Sequence, residues 1–190
     1  MSFQNFVVDQ IKDHFNKDDD RQSGAGGDLN PALSHASAHS SSNADSSLFS
    51  QALNFVQERQ SSGRYNDDDN IDEEHAVNSH KRYEEGGANM DSNELGAGAA
   101  MKALQSFTSG SGEGTGGGRD KNAFIGMAMA KAEEMWEVKN GKGEASGDKQ
   151  SAINQAAEMA FKMYMKSQMS GSEGTGGPSG LMSIASKFLK

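Results

Sequence analysis

The chain has 190 residues, of which 34% are hydrophobic, and its mean hydropathy is −0.76, which allows one modest domain with tails. The net charge of −9 disfavours a nucleic-acid partner, because phosphate binding depends on clustered Lys and Arg. The absence of cysteine excludes disulfides, zinc–thiolate sites and thiol catalysis. No segment approaches the ~20 apolar residues of a membrane span, and the first residues lack the pattern of a secretory signal. We therefore expect a cytoplasmic protein.

The first predicted element is an amphipathic helix in residues 1–18. Its apolar residues follow the three-and-four spacing that places them on one face. The opposite face carries Asp9 and Asp13, which an anionic membrane surface would repel. We therefore expect this helix to dock on its own domain or on another copy, with peripheral membrane contact as the alternative. The residues predicted to self-associate are Phe3, Phe6, Val7, Ile11 and Phe15.

Residues 19–44 are predicted to be a flexible linker, because Gly, Ser and charged residues occur there without periodicity. His35 and His39 would share one face of a helix, as some metal ligands do. Their neighbours are mostly Ser and Ala, which favours an unstructured segment, so no metal site is predicted here.

Residues 45–190 are predicted to form an all-α domain, a small bundle of short helices joined by Gly-rich loops. Capping residues and apolar positions at helical spacing mark the helices. The helix predicted after Asp120 has opening turns that are apolar almost all round, which predicts a central, mostly buried helix. The predicted helices begin near Asp45, Asp69, Asp91, Asp120, Asp148 and Ser179.

Two Gly-rich segments belong to an internal repeat. The sequence "SGSGEGTGGG" at residues 109–118 returns as "SGSEGTGGPSG" at residues 170–180. A shift of 60 positions also pairs alanines of the preceding helices, which predicts a duplicated helix–loop–helix unit at about residues 91–139 and 151–190. The first segment matches G-x-G-x-x-G literally, but a dinucleotide site needs a strand before the glycines, and a helix is predicted there. We interpret both segments as flexible joints and predict no cofactor.

The sequence contains no convincing catalytic or metal site. His75 and His80 are five positions apart, so they are poorly placed to share a metal ion. The acidic run "NDDDNIDEE" lacks the spacing of an EF-hand loop. No G-x-S-x-G motif supports a nucleophilic serine. No catalytic, cofactor-binding or metal-binding residue is therefore predicted.

Methionine is enriched in the C-terminal half, where nine of the eleven lie between Met101 and Met182. Methionine is an adaptable core residue, and on a surface it suits variable apolar partners. Core filling is the first interpretation. The second is an apolar groove, whose lining would be Met127, Met135, Trp136, Met163 and Met165.

Four segments carry a resemblance to a known family: "SSLFSQALNFVQ", "DNIDEEHAVNSHKRYEE", "NAFIGMAMAKAEEMW" and "QAAEMAFKMYMKS". They are similar to a fungal family of small Gly-rich proteins, some labelled "beta-flanking". The resemblance covers roughly residues 45–190, implies a fungal, intracellular setting and assigns no catalytic residue. The composition is also similar to hydrophilins, the Gly-rich hydrophilic proteins associated with water stress.

The sequence thus predicts a non-enzymatic structural protein that forms homo-oligomers or filaments, with a role in stress or dormancy. Two alternatives remain open. One is a helical binding module that holds an apolar peptide or lipid in the Met-rich groove. The other is a hydrophilin-like desiccation protectant that is largely disordered in dilute solution.

Overall fold

A computed structural model of the chain describes four stretches and one further residue: 28–40, 45–63, 71–109, 121–169 and Ser186. The predicted helix in residues 1–18 lies outside the described residues. So do nearly all of both Gly-rich segments and of the predicted final helix. The self-association residues and the duplicated unit therefore stay predictions.

The described residues fold as an all-α bundle, which confirms the predicted fold class. Two very short strands, β1 (Met90–Asp91) and β2 (Ala145–Ser146), pair in parallel. The helices of the described stretches are α1 (Asn30–His39), α2 (Ser46–Ser61), α3 (Glu73–Glu84), α4 (Ser92–Thr108), α5 (Lys121–Gly141) and α6 (Lys149–Met169).

Aspartate side chains cap four of these helices, because a carboxylate at the N-cap accepts a hydrogen bond from an otherwise unpaired backbone N–H. Asp91 makes a complete capping box with Glu94, whose own carboxylate accepts from the Asp91 N–H. Helix α3 begins at Glu73 instead of Asp69, because its cap is Asp72. The caps of α2, α4 and α6 are the aspartates predicted from the sequence, Asp45, Asp91 and Asp148.

Helix α5 lies at the centre of the bundle and packs against α1, α4 and α6, as its apolar sequence predicts. Small residues let the helices approach closely. A Cβ atom added to Gly96 of α4 would lie 2.6 Å from the carbonyl oxygen of Ala152 in α6. Only glycine at position 96 therefore allows α4 and α6 to lie so close together. The buried alanines that follow Gly96 in α4 continue the contact.

Helix α1 corrects the prediction of a flexible linker over residues 19–44 for its described part, residues 28–40. The Asp28 carboxylate accepts a hydrogen bond from the Asn30 N–H at 2.9 Å, and Pro31 lies in the first turn, where a missing N–H costs nothing. Ala32 and Ala36 are fully buried, and a Cβ atom at Gly126 of α5 would lie 2.6 Å from the Ala32 carbonyl oxygen. Residues 30–39 are therefore a docked helix, which contacts the core through Ala32, Ala36 and the half-buried Leu33.

The strand pair places the starts of α4 and α6 side by side. Met90 lies opposite Ala145 in the ladder, and the Met90 N–H donates to the carbonyl oxygen of Glu144 at 2.9 Å. One residue into α4, the Ser92 hydroxyl donates to the carbonyl oxygen of Asp148 at 2.8 Å. The sequence did not predict these strands, which are too short to show alternation.

Candidate functional site

An open cleft lies where α4 and α6 begin beside the C-terminal half of α2. Its volume is about 650 Å³. A second cavity of about 300 Å³ lies between the start of α3 and the same two helices. Both are lined by Asn93, Gln155 and Glu158, so they adjoin, and we call them together the polar cleft.

A buried ion cluster forms the floor of the polar cleft. Glu158 is 5% exposed, and its carboxylate lies 2.7 Å from the Arg59 guanidinium and 3.1 Å from the Lys162 ammonium. The same guanidinium lies 4.5 Å from the ring centroid of Phe55, one helical turn earlier on α2. The charges on the floor are thus paired within the protein.

Two capping aspartates form one rim of the polar cleft. Asp148 accepts from the backbone N–H of Ser151 at 2.8 Å and from its hydroxyl at 2.7 Å. These hydrogen bonds from Ser151 hold the pKa of the Asp148 carboxyl below its usual range. Asp91 caps α4 beside it. Both carboxylates are held in place as hydrogen-bond acceptors.

Amide side chains cover much of the remaining wall. Asn154 is held by Gln150, whose amide donates to the Asn154 Oδ1 at 2.7 Å. In the smaller part, the ring of His75 lines the cavity, and its buried Nε2 has no hydrogen-bond partner among the described residues. The cleft thus offers neutral donors and acceptors as well as paired charges.

No cluster of three or more His, Asp or Glu suited to a metal ion occurs within the described stretches. His35 and His39 lie on helix α1, so the prediction that their segment is unstructured was wrong. Burial, and then the neighbouring charges of His35 and Lys131, lower the pKa of His39.

The predicted apolar groove is not open in the structure. Met127, Met135 and Met163 are buried in the core, and Trp136 and Met165 are half-buried against it. An open groove at these positions is therefore wrong. The physical reason is that α1, α4 and α6 cover the central helix α5, so its methionines fill core space, as the first interpretation held.

The sequence also carried a signal for the floor of the cleft that the prediction did not use. Glu158 interrupts an apolar run on α6, Ala156 to Ala160, and all five residues of this run are buried. A charged residue on a buried helix face needs a partner, so Glu158 marks a buried ion pair. The partner Arg59 lies 99 positions away, and helix periodicity alone does not identify it.

The fold and the cleft together define the protein as a small all-α bundle with one face of polar side chains. Residues 28–112 match the family model of a domain of unknown function, DUF7721. The matched stretch spans α1 to α4 and is less than half of the chain, so α5 and α6 lie outside it. No curated protein and no solved structure matches the chain. Within the described stretches, no helix has the length and apolar character needed to cross a bilayer.

Proposed function

We propose that the chain is a non-enzymatic structural protein that assembles into homo-oligomers or filaments through residues 1–18. The observation that supports the proposal is a contrast in apolar surface. In the described bundle, Val138 is the exposed large apolar side chain, at 43% exposure. Residues 1–18 instead carry five large apolar residues at helical spacing. We call them the apolar stripe, and its exposure to water is unfavourable unless another apolar surface buries it.

The described bundle offers this stripe little apolar surface. Phe49, Phe124 and Phe161 are less than 2% exposed, and the partly buried Phe55 and Trp136 pack against the core. The polar cleft contributes mainly charged and amide groups. Stripes from several chains can cover one another, as the faces of amphipathic helices do in bundles. We therefore propose that the contact forms between copies of residues 1–18.

The setting of this assembly is also part of the proposal. We place the protein in the cytoplasm, with a role in stress or dormancy, because its glycine content and low hydropathy are similar to those of hydrophilins. The resemblance to the fungal "beta-flanking" family supports the same setting. A hydrophilin-like protectant is the second candidate. Circular dichroism distinguishes the two, because the bundle predicts high helix content in dilute solution and a protectant does not.

Light scattering after size exclusion tests the assembly. Phe6→Asp places a carboxylate in the apolar stripe and is expected to reduce the assembly to the 20.2 kDa chain. Val138→Asp is the matched control, since it adds the same charge at the exposed apolar side chain of the bundle. It is expected to leave the mass unchanged. An assembly that survives Phe6→Asp would show that residues 1–18 do not carry the contact.

A further inference from the structure

We propose that the polar cleft is a binding site for a neutral, polyhydroxylated ligand of the size of a short saccharide. This site is separate from the proposed assembly contact, because its lining lies on α2, α3, α4, α6 and β2. The proposal rests on the size of the cleft, the pairing of its charges and the chemistry of its neutral groups.

The size of the polar cleft suits a small molecule. Its larger part is about 650 Å³ and adjoins about 300 Å³ more, and ligand sites are typically ~300–1,000 Å³. Its walls are helix starts and a strand pair, held by the hydrogen bond from Ser92 to Asp148. A site on such elements is formed before the ligand arrives, which lowers the entropic cost of binding.

The charges of the cleft repel an anion and attract a cation only weakly. Arg59 and Lys162 are both paired with the buried Glu158. An anion would also meet three further carboxylates along the same lining, those of Asp72, Asp91 and Asp148. Each of the three accepts a hydrogen bond at a helix start, whose partial positive charge offsets part of the negative charge that a cation would meet. A metal ion finds no cluster of three suitable ligands in the described stretches, whereas a ligand without net charge needs neither kind of partner.

The neutral groups of the cleft match hydroxyl groups. An amide both donates and accepts hydrogen bonds, and so does each hydroxyl of a sugar. An amide that already makes one hydrogen bond can make further ones to a ligand. Asn154 is an example, because its Oδ1 accepts from Gln150 and its NH2 group can still donate. Phe55, which is half-buried and has the Arg59 guanidinium over its ring, adds apolar surface to the larger part for the C–H groups of a sugar ring. The neutral polar lining consists of Ser92, Asn93, Ser146, Ser151, Asn154 and Gln155.

Saturation-transfer difference NMR on the full chain tests the proposal, because the method works whether or not the protein is assembled. Maltose is the probe, with inorganic phosphate and spermidine as the anionic and cationic comparisons. We expect a saturable maltose signal with a dissociation constant on the order of 1 mM, as for a weak solvent-exposed site. Neither comparison is expected to compete with maltose.

Asn93→Leu removes an amide shared by both parts of the cleft and should weaken maltose binding about tenfold or more. Asn140→Leu is the control, since Asn140 is exposed on α5 and lies outside the cleft lining. It should bind as the wild type does. Circular dichroism checks that each variant folds, and Asn154→Leu replaces Asn93→Leu if the latter does not.

Three results would overturn the proposal. One is a maltose signal that does not saturate in the wild type. Another is equal binding by the cleft variant and by Asn140→Leu, which would place the sugar elsewhere. The third is displacement of maltose by phosphate or spermidine, which would show that charge governs recognition in the cleft.

Discussion

The guanidinium of Arg59 on α2 lies 2.7 Å from the carboxylate of Glu158 on α6, and this contact joins two helices across the floor of the polar cleft. The carboxylate is nearly inaccessible, whereas the guanidinium is partly exposed. The pair therefore fixes a buried charge and attaches α2 to the rest of the bundle.

Replacing Arg59→Met should lower the free energy of unfolding by about 1–3 kcal/mol, because the buried Glu158 carboxylate keeps only the bond to Lys162. Urea unfolding measures the change. Lys131→Met is the control, since Lys131 pairs with the exposed Glu134 and its loss should cost at most about 0.5 kcal/mol. Equal losses in the two variants would mean that the Arg59 pair is not a buried contact.

Gly126→Ala tests the docking of α1. The added methyl group would lie 2.6 Å from the Ala32 carbonyl oxygen and from the His35 Cβ, so α1 must shift away. We expect a loss of about 1–3 kcal/mol in unfolding free energy and faster proteolysis within residues 30–39. Gly141→Ala, in the same helix, meets nothing within 4 Å and should not destabilise the protein. If both variants are equally stable, α1 does not pack against α5 at this glycine.

Glu133 predicts a pH dependence of stability. Its side chain is 1% exposed, and neither carboxylate oxygen has a hydrogen-bond partner among the described residues. Burial raises the pKa of the Glu133 carboxyl; the charges of Glu137 and Asp45 raise it further, and Lys149 opposes them. Below the ordinary carboxyl pKa, both the folded and the unfolded chain hold this proton. Above that pKa the unfolded chain loses the proton while the folded chain keeps it, so the stability that this group contributes falls as the pH rises and is fully lost once the pH has passed the folded-state pKa.

Glu133→Met should therefore raise the free energy of unfolding at neutral pH. Its advantage over the wild type should be larger at about pH 8 than at about pH 4. Glu134→Met is the control, because Glu134 is exposed on the same helix. Urea unfolding at several pH values measures the difference. An advantage of Glu133→Met that is the same at every pH would contradict the buried, unpaired carboxyl.

Lys139 fixes the strand pair. Its ammonium, on a residue that is 2% exposed, donates to the Gly87 carbonyl oxygen at 2.6 Å and lies 3.1 Å from the Glu144 carboxylate. Lys139→Met should cost about 1–2 kcal/mol, because the half-buried Gly87 carbonyl oxygen and the partly exposed Glu144 carboxylate lose their charged donor. Hydrogen exchange should accelerate at the Met90 amide, which bonds to the Glu144 carbonyl oxygen.

Lys142→Met is the matched control for that variant, since Lys142 is exposed in the turn that follows α5. It should leave both the stability and the Met90 exchange rate unchanged. Slow exchange at Met90 in Lys139→Met would show that the strand pair forms without the lysine.

The sequence predicts the all-α class and several helix starts, because those features depend on local chemistry. Asp91 and Asp148 are capping residues that precede apolar periodicity, and both caps are confirmed. The burial of α5 follows from its lack of a polar face. Helix α1 was missed because its fully buried residues are Ala32 and Ala36, which add little to the apolar pattern of Leu29 and Leu33.

Most of the candidate site could not be predicted from the sequence, because it is formed by residues that are far apart in the chain. Glu158 is attached to a residue 99 positions away, and the two-residue strands that bring Asp91 beside Asp148 leave no periodic signal. The Met-rich groove was wrong for a related reason. Methionines such as Met135 and Met163 suit a core and a contact surface equally well, and only packing decides between them.

The mass of the unmodified full chain in solution tests the proposed assembly most directly. Sedimentation velocity over a wide range of concentrations measures it without a surface or a tag. The account predicts species heavier than the 20.2 kDa chain, with their share rising as the concentration rises. A single 20.2 kDa species at every concentration would contradict it.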